Sequence, residues 1–168
     1  EKPNVVLLYG TWQEQMPQLI QQGVQIDAIF YDTYGEHAMD MEDFHGLMVQ
    51  VLTKNPQAFP VYSFFNGLAP DNLFFHGVAC QVVKLQLSQL GLDTEFLNCE
   101  IQAVAQKEWK GVRRPYWHGR DSYYLPQCTW NPQYLATGKV TPDPILEEAT
   151  KKAAHQEELQ LQAKRQRT

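Results

Sequence analysis

Three short apolar runs, each halted by a polar or glycine-bearing turn, constrain this chain more than any other feature. Val5-Val6-Leu7-Leu8-Tyr9 stops at Gly10, Ile26 to Tyr31 stops at Asp32-Thr33-Tyr34-Gly35, and Phe59 to Phe65 stops at Asn66-Gly67-Leu68. A continuous apolar run suits a strand covered on both faces, as in a parallel sheet. Helical spacing fills the gaps between the runs. Thr11 caps a helix that reaches about Ile20 and closes at Gln21-Gln22-Gly23. Phe44, Leu47, Met48 and Val51 carry a second helix from Met41 to Leu52, broken by Lys54-Asn55-Pro56.

Asp71 or Asn72 caps a third helix that runs to about Leu90 and stops at Gly91. Thr94 to Leu97 and Tyr123 to Leu125 read as further strands, the late pair forming a terminal hairpin. Pro60 belongs at the first position of its strand or just outside it. Alternation of strand and helix predicts an α/β fold with a doubly wound, Rossmann-like sheet. The stretch from Leu146 to Gln166 is rich in Ala, Glu, Gln and Lys, with a thin apolar stripe. Residues 1–131 therefore read as one domain, and 132–168 as a linker and a charged, solvated helical tail.

Composition narrows the function classes. The net charge of -5 and pI near 5.5 argue against a broad nucleic-acid-binding surface. Residues 1–143 carry 9 Lys/Arg against 15 Asp/Glu, while 144–168 carry 5 against 4. Cys80, Cys99 and Cys128 are odd in number and far apart, which suggests neither a disulfide framework nor a zinc knuckle and favours a reducing compartment. No run is apolar for long enough to span a bilayer as a helix. Neither a phosphate loop, a G-x-G-x-x-G loop nor a G-x-S-x-G elbow is present.

In open parallel sheets ligands sit at the carboxyl ends of strands. Asp32 leads the candidates, because a carboxylate at the rim of an apolar strand binds a planar guanidinium through two parallel hydrogen bonds. The alternative is that Asp32 caps the turn before the next helix. Trp12 can stack on a purine while Gln13 reaches a base edge, or Trp12 can simply pack over the sheet edge. Glu36, His37, Asp40, Asp43 and His45 lack metal-ligand spacing and read as a solvated helix start, so no metal is expected. Lys107, Lys110, Arg113 and Arg114 around Trp109 and Trp117 read as an exposed loop.

Tyr9-Gly10-Thr11-Trp12-Gln13, Ile29 to Glu36, and Tyr62 to Leu68 with Asp71-Asn72 together resemble the type IV protein arginine N-methyltransferases. That family methylates the internal, δ guanidino nitrogen and is similar to guanidinoacetate N-methyltransferase. The likeness extends through Trp109 to Val112, Tyr116-Trp117 and Tyr123 to Pro126, and covers about Glu1 to Trp130. It implies a class I methyltransferase domain using S-adenosylmethionine, of which this chain is the C-terminal part. The family's glycine-rich loop and acidic ribose ligand precede the first run, and neither is in this sequence. Where the family has Lys-Pro-Gly-Gly, this chain has Lys54-Asn55-Pro56-Gln57.

The resemblance also implies roles. Asp32 binds and polarises the guanidino group, with Glu36 as a second carboxylate. Trp12, Gln13 and Asp32 lie along the cofactor; Asp32, Tyr34 and Asn66 contact the substrate. The implied partner is an arginine-bearing protein, ribosomal proteins being one candidate class, in the cytoplasm, the nucleus or both, without nucleic acid or membrane. A small-molecule guanidino methyltransferase and a non-catalytic remnant are the competing readings.

Overall fold

In the computed structural model, described for residues 4–33, 38–67, 73–101, 110 and 122–140, two of the three apolar runs become neighbouring parallel strands. They are β1 (Ala28–Tyr31) and β2 (Val61–Phe64), paired Ala28 with Val61 through Tyr31 with Phe64. The antiparallel hairpin of β3 (Leu92–Glu100) and β4 (Ser122–Trp130) completes a mixed sheet of order β1-β2-β4-β3. Both hairpin strands are longer than the sequence predicted, because cross-strand pairing carries the polar ends of each into the ladder. Pro60 sits just outside β2, after a 3-10 turn at Pro56–Ala58 capped by Asn55.

The helices α1 (Trp12–Gln21), α2 (Ala38–Val51) and α3 (Leu73–Gln89) pack side by side, α1 on α2 and α2 on α3. Their inward side chains Met16, Phe44, Met48, Val51, Val83 and Leu87 meet Tyr31, Tyr62, Phe64 and Cys128 of the sheet in one core. Gly10 turns the chain into α1 at φ +128, where a side chain would be strained. The Glu14 carboxylate then accepts the Thr11 N–H at 3.1 Å, half of a capping box. Gly91, at φ +88, lies where any Cβ would collide with the Tyr134 ring of the short helix α4 (Pro132–Thr137). Asn131 caps α4 through its Oδ1 and donates to both Asp93 oxygens at 3.0 Å, so the chain stays packed beyond Trp130.

The first apolar run departs from expectation. Val5 to Tyr9 forms no strand, and all five residues are exposed, Val6 by 82% and Tyr9 by 86%. A strand is stabilised by its ladder, and among the described residues no strand pairs with this run. Apolar content alone could not supply that neighbour. The solvated reading of His45 is also corrected. It lies on the inner face of α2, fully buried, with Nε2 at 3.0 Å from the Tyr62 hydroxyl. Its place in the Phe44, Leu47, Met48 stripe was the signal for burial. The 146–166 tail and the Lys107, Trp109, Arg113, Arg114 and Trp117 loop residues lie outside the described residues.

Candidate active site

Parallel register brings the carboxyl ends of β1 and β2 level. The Phe65 N–H donates to the Tyr31 carbonyl at 2.9 Å, so Asp32 stands beside Phe65 and Asn66 at one end of the sheet. Asp32 is exposed there, directly after the buried Tyr31. The start of β4 arrives at the same end, because β4 runs antiparallel to β2 with Tyr62 opposite Cys128. Three strand ends thus converge on the place where ligands of such sheets bind. Tyr34, Glu36 and His37 lie outside the described residues, as do Leu68, Asp71 and Asn72.

Trp12 opens α1 and is half-buried. Its ring meets Phe44 edge-on at 5.4 Å and Tyr31 at 6.4 Å, and Tyr31 stacks on Phe44 at 3.9 Å. Packing over the sheet edge, one of the two sequence readings, is therefore what the indole does here; Gln13 beside it is exposed. This aromatic wedge ties the start of α1 to Tyr31, the residue before Asp32. The seating is firm, since aromatic pairs of this geometry add about 0.5–1.5 kcal/mol each beyond their burial.

Asn66 differs from the sequence picture of a side chain offered to substrate. It is 2% exposed, its Nδ2 donates to the Tyr124 carbonyl at 2.9 Å, and Nδ2 also lies 3.4 Å from the Cys80 sulfur. Its own N–H donates to the Tyr123 hydroxyl at 2.7 Å, and the Tyr123 and Phe65 rings stack at 6.1 Å. Burial pushes the Cys80 thiol up, against a smaller downward pull from Asn66, which favours the thiol over the thiolate. Its His76 neighbour, at 3.8 Å, is an i, i+4 contact on α3. Sequence reasoning missed this knot, because Tyr123 and Tyr124 lie 57 and 58 positions from Asn66 and nothing local marks the pairing.

Among the described residues no group of three His, Cys, Asp or Glu side chains can hold a metal, and no helix is long and apolar enough to cross a membrane. Two open clefts, of about 590 and 540 Å³, flank Lys54 at the opposite pole of the sheet. The Lys54 ammonium lies 5.1 Å and 5.6 Å from the parallel Trp130 and Tyr134 rings there. None of the candidate residues lines either cleft.

What distinguishes the Asp32 end is an exposed carboxylate on an apolar strand end beside an aromatic wedge. The chain is a relative of arginine methyltransferases. It is 37% identical over 134 residues to protein arginine N-methyltransferase 2 of Yarrowia lipolytica, an alignment covering 77% of this chain and 27% of that protein. The Emericella nidulans protein of the same name is 38% identical over 131 residues, covering 77% and 29%. That of Saccharomyces cerevisiae is 32% identical over 131 residues, covering 77% and 30%. This chain therefore spans under a third of the length of the relatives it matches. No family model and no solved structure matches it.

Proposed function

We propose that this chain contributes the arginine-facing wall of an S-adenosylmethionine-dependent protein arginine N-methyltransferase. The observation that carries the reading is the exposed Asp32, held level with the end of β2 by the Tyr31 to Phe65 hydrogen bond. Arginine is protonated at any ordinary pH and its lone pairs are delocalised, so the guanidinium is a poor nucleophile. Asp32 binds it, orients one nitrogen and favours the resonance form in which that nitrogen keeps its pair. The departing proton leaves with or after methyl transfer. S-adenosylmethionine supplies an electrophilic methyl on sulfur.

Trp12 and Gln13, at the start of α1, suit the adenine end of that cofactor: a fixed ring and an exposed amide. The family's acidic ribose ligand precedes the first apolar run and is not in this sequence. The fit is thus to one end of the cofactor, and further polypeptide is needed for the rest. Glu36 and Tyr34 complete the wall in this reading. The δ nitrogen is the acceptor suggested by the sequence resemblance, and an arginine-bearing ribosomal protein in the cytoplasm or nucleus is the substrate class we put forward.

The test joins this chain to the portion of the Yarrowia lipolytica protein outside their aligned stretch and assays methylation of an arginine peptide, with fragmentation mass spectrometry to locate the methyl group. Asp32→Asn should cut turnover by about 100-fold or more, since it removes the charge that acts on the reacting group. Trp12→Ala should weaken cofactor binding in calorimetry. Unchanged turnover in Asp32→Asn sinks the assigned role. Methylation of free guanidinoacetate but not of peptides selects a small-molecule enzyme instead.

A further inference from the structure

Asn66 stands at the rim of the proposed site, yet its side chain is committed inward. Its amide group is held by the Tyr124 carbonyl and by Cys80, and its residue is 2% exposed. What this residue presents to the rim is backbone. That backbone is fixed by one hydroxyl from another strand, since the Tyr123 oxygen accepts the Asn66 N–H at 2.7 Å. The Tyr123 ring lies nearly parallel to Phe65, 6.1 Å away at 21°, so ring and hydroxyl grip two consecutive residues of the strand end. Immediately after them the chain turns: the Gly67 N–H donates to the Phe65 carbonyl at 3.0 Å, and a Cβ on Gly67 would press into the Phe65 ring at 2.7 Å. The turn is therefore tight, and its position follows Phe65.

The same Phe65 donates its N–H to Tyr31, the residue before Asp32. A single hydrogen-bonded path thus runs from Tyr123 through Asn66 and Phe65 to the strand end that bears the Asp32 carboxylate. We propose that Tyr123 is a positioning residue for the guanidinium side of the site: through the Asn66 N–H it sets the height of the 65–67 backbone beside Asp32, and Asn66 acts by main chain and not by its carboxamide. The inference rests on the arginine-methyltransferase reading above. It assigns the grip on the acceptor to β4, which belongs to the hairpin side of the sheet, and leaves the Trp12 and Gln13 rim untouched.

Tyr123→Phe tests this, since it keeps the ring stack and removes only the oxygen. In the chain itself, amide hydrogen exchange at Asn66 should speed up by about tenfold, the loss of one buried hydrogen bond, with the Trp12 to Gln21 amides unchanged. In the joined protein, the KM for an arginine peptide should rise about tenfold while the KM for S-adenosylmethionine stays put. Equal rises in both constants mean the hydroxyl is merely structural and overturn the proposal, as does no change in either. Unaltered Asn66 exchange overturns it through the geometry alone. A wild-type protein that methylates no guanidino compound defeats the functional reading, and this role falls with it. Asn66→Asp, which keeps the shape of the side chain, separates the two halves of the claim: an arginine KM that jumps while Asn66 exchange is preserved assigns the effect to the carboxamide and rejects the main-chain role.

Discussion

The two edges of the sheet are built to different standards. The β3 edge belongs to a nine-residue antiparallel pair, and its outward residues include Asp93, Glu95, Asn98 and Glu100, all exposed. Charges on an edge strand deter pairing with another chain. The β1 edge is four residues long, carries Phe30 at 58% exposure, and borders no further strand among the described residues. Since the Asp27 and Tyr31 carbonyls accept from β2, the alternating polar groups of Ala28 and Phe30 point away from it. The other exposed apolar stretch, Val5 to Tyr9, directly precedes α1 in the sequence. One edge carries the charges that protect a terminal strand, the other the apolar surface of an interior one. That contrast frames the proposed acceptor wall from the β2 and β4 side, while the proposed cofactor side rests on Trp12 and Gln13.

The hairpin side should give the largest response to substitution. Trp130, 5% exposed, stacks on Tyr134, lies under Lys54 and donates Nε1 to the Thr53 carbonyl at 2.7 Å. Trp130→Ala opens a cavity and leaves that carbonyl unpaired, so the unfolding free energy should fall by about 3–5 kcal/mol in urea titration. A loss below about 1 kcal/mol would show that the hairpin and α4 are not the firmer half.

The middle of the core should respond to acid. Burial alone pushes the His45 imidazole down to about 4, and its Nδ1 has no hydrogen-bond partner among the described residues. The folded chain keeps the ring neutral, whereas the unfolded chain takes up a proton below the ordinary histidine value. Stability from this group is complete above about pH 6.5 and is lost as pH falls towards about 4. Between pH 7.5 and 4.5 the expected loss is roughly 2–3 kcal/mol. His45→Gln should remove that part of the pH dependence; equal slopes for both proteins would mean the ring is accessible to water.

How much of this was legible in the sequence follows from the range of the interactions. Local devices were readable: the Thr11 cap, the Gly91 stop, Pro60 at the edge of β2, and Asp32 at the end of β1. Interactions that need a distant neighbour were not. Val5 to Tyr9 reads as a strand because its residues are apolar, but a ladder takes two partners. Asn66 reads as a site residue because it follows a strand, yet Tyr124 and Cys80 claim its amide from elsewhere in the chain. His45 reads as part of an acidic, solvated start until α2 is turned so that Tyr62 faces it. Tyr34 and Glu36, also proposed for the site, lie outside the described residues.

The smallest effect on stability, and the sharpest probe of the contrast between edges, comes from charging Phe30 on the β1 edge and Val6 in the exposed first run. Unpaired apolar strand edges recruit other chains, so the chain should self-associate at tens of micromolar in sedimentation velocity. Val6→Lys with Phe30→Lys places two cations on surface that is already exposed, 82% and 58%, and should therefore move the unfolding free energy by no more than about 0.5 kcal/mol. The same pair should shift the sedimenting species towards monomer, because two added charges oppose edge-to-edge pairing. Glu95→Lys on the β3 edge is the matched control and should leave association as it was, one charge replacing another on an edge already guarded. Monomeric wild-type chain, or equal responses from the two edges, would abolish the distinction, and Phe30 and the exposed Val5 to Tyr9 run would then be ordinary surface.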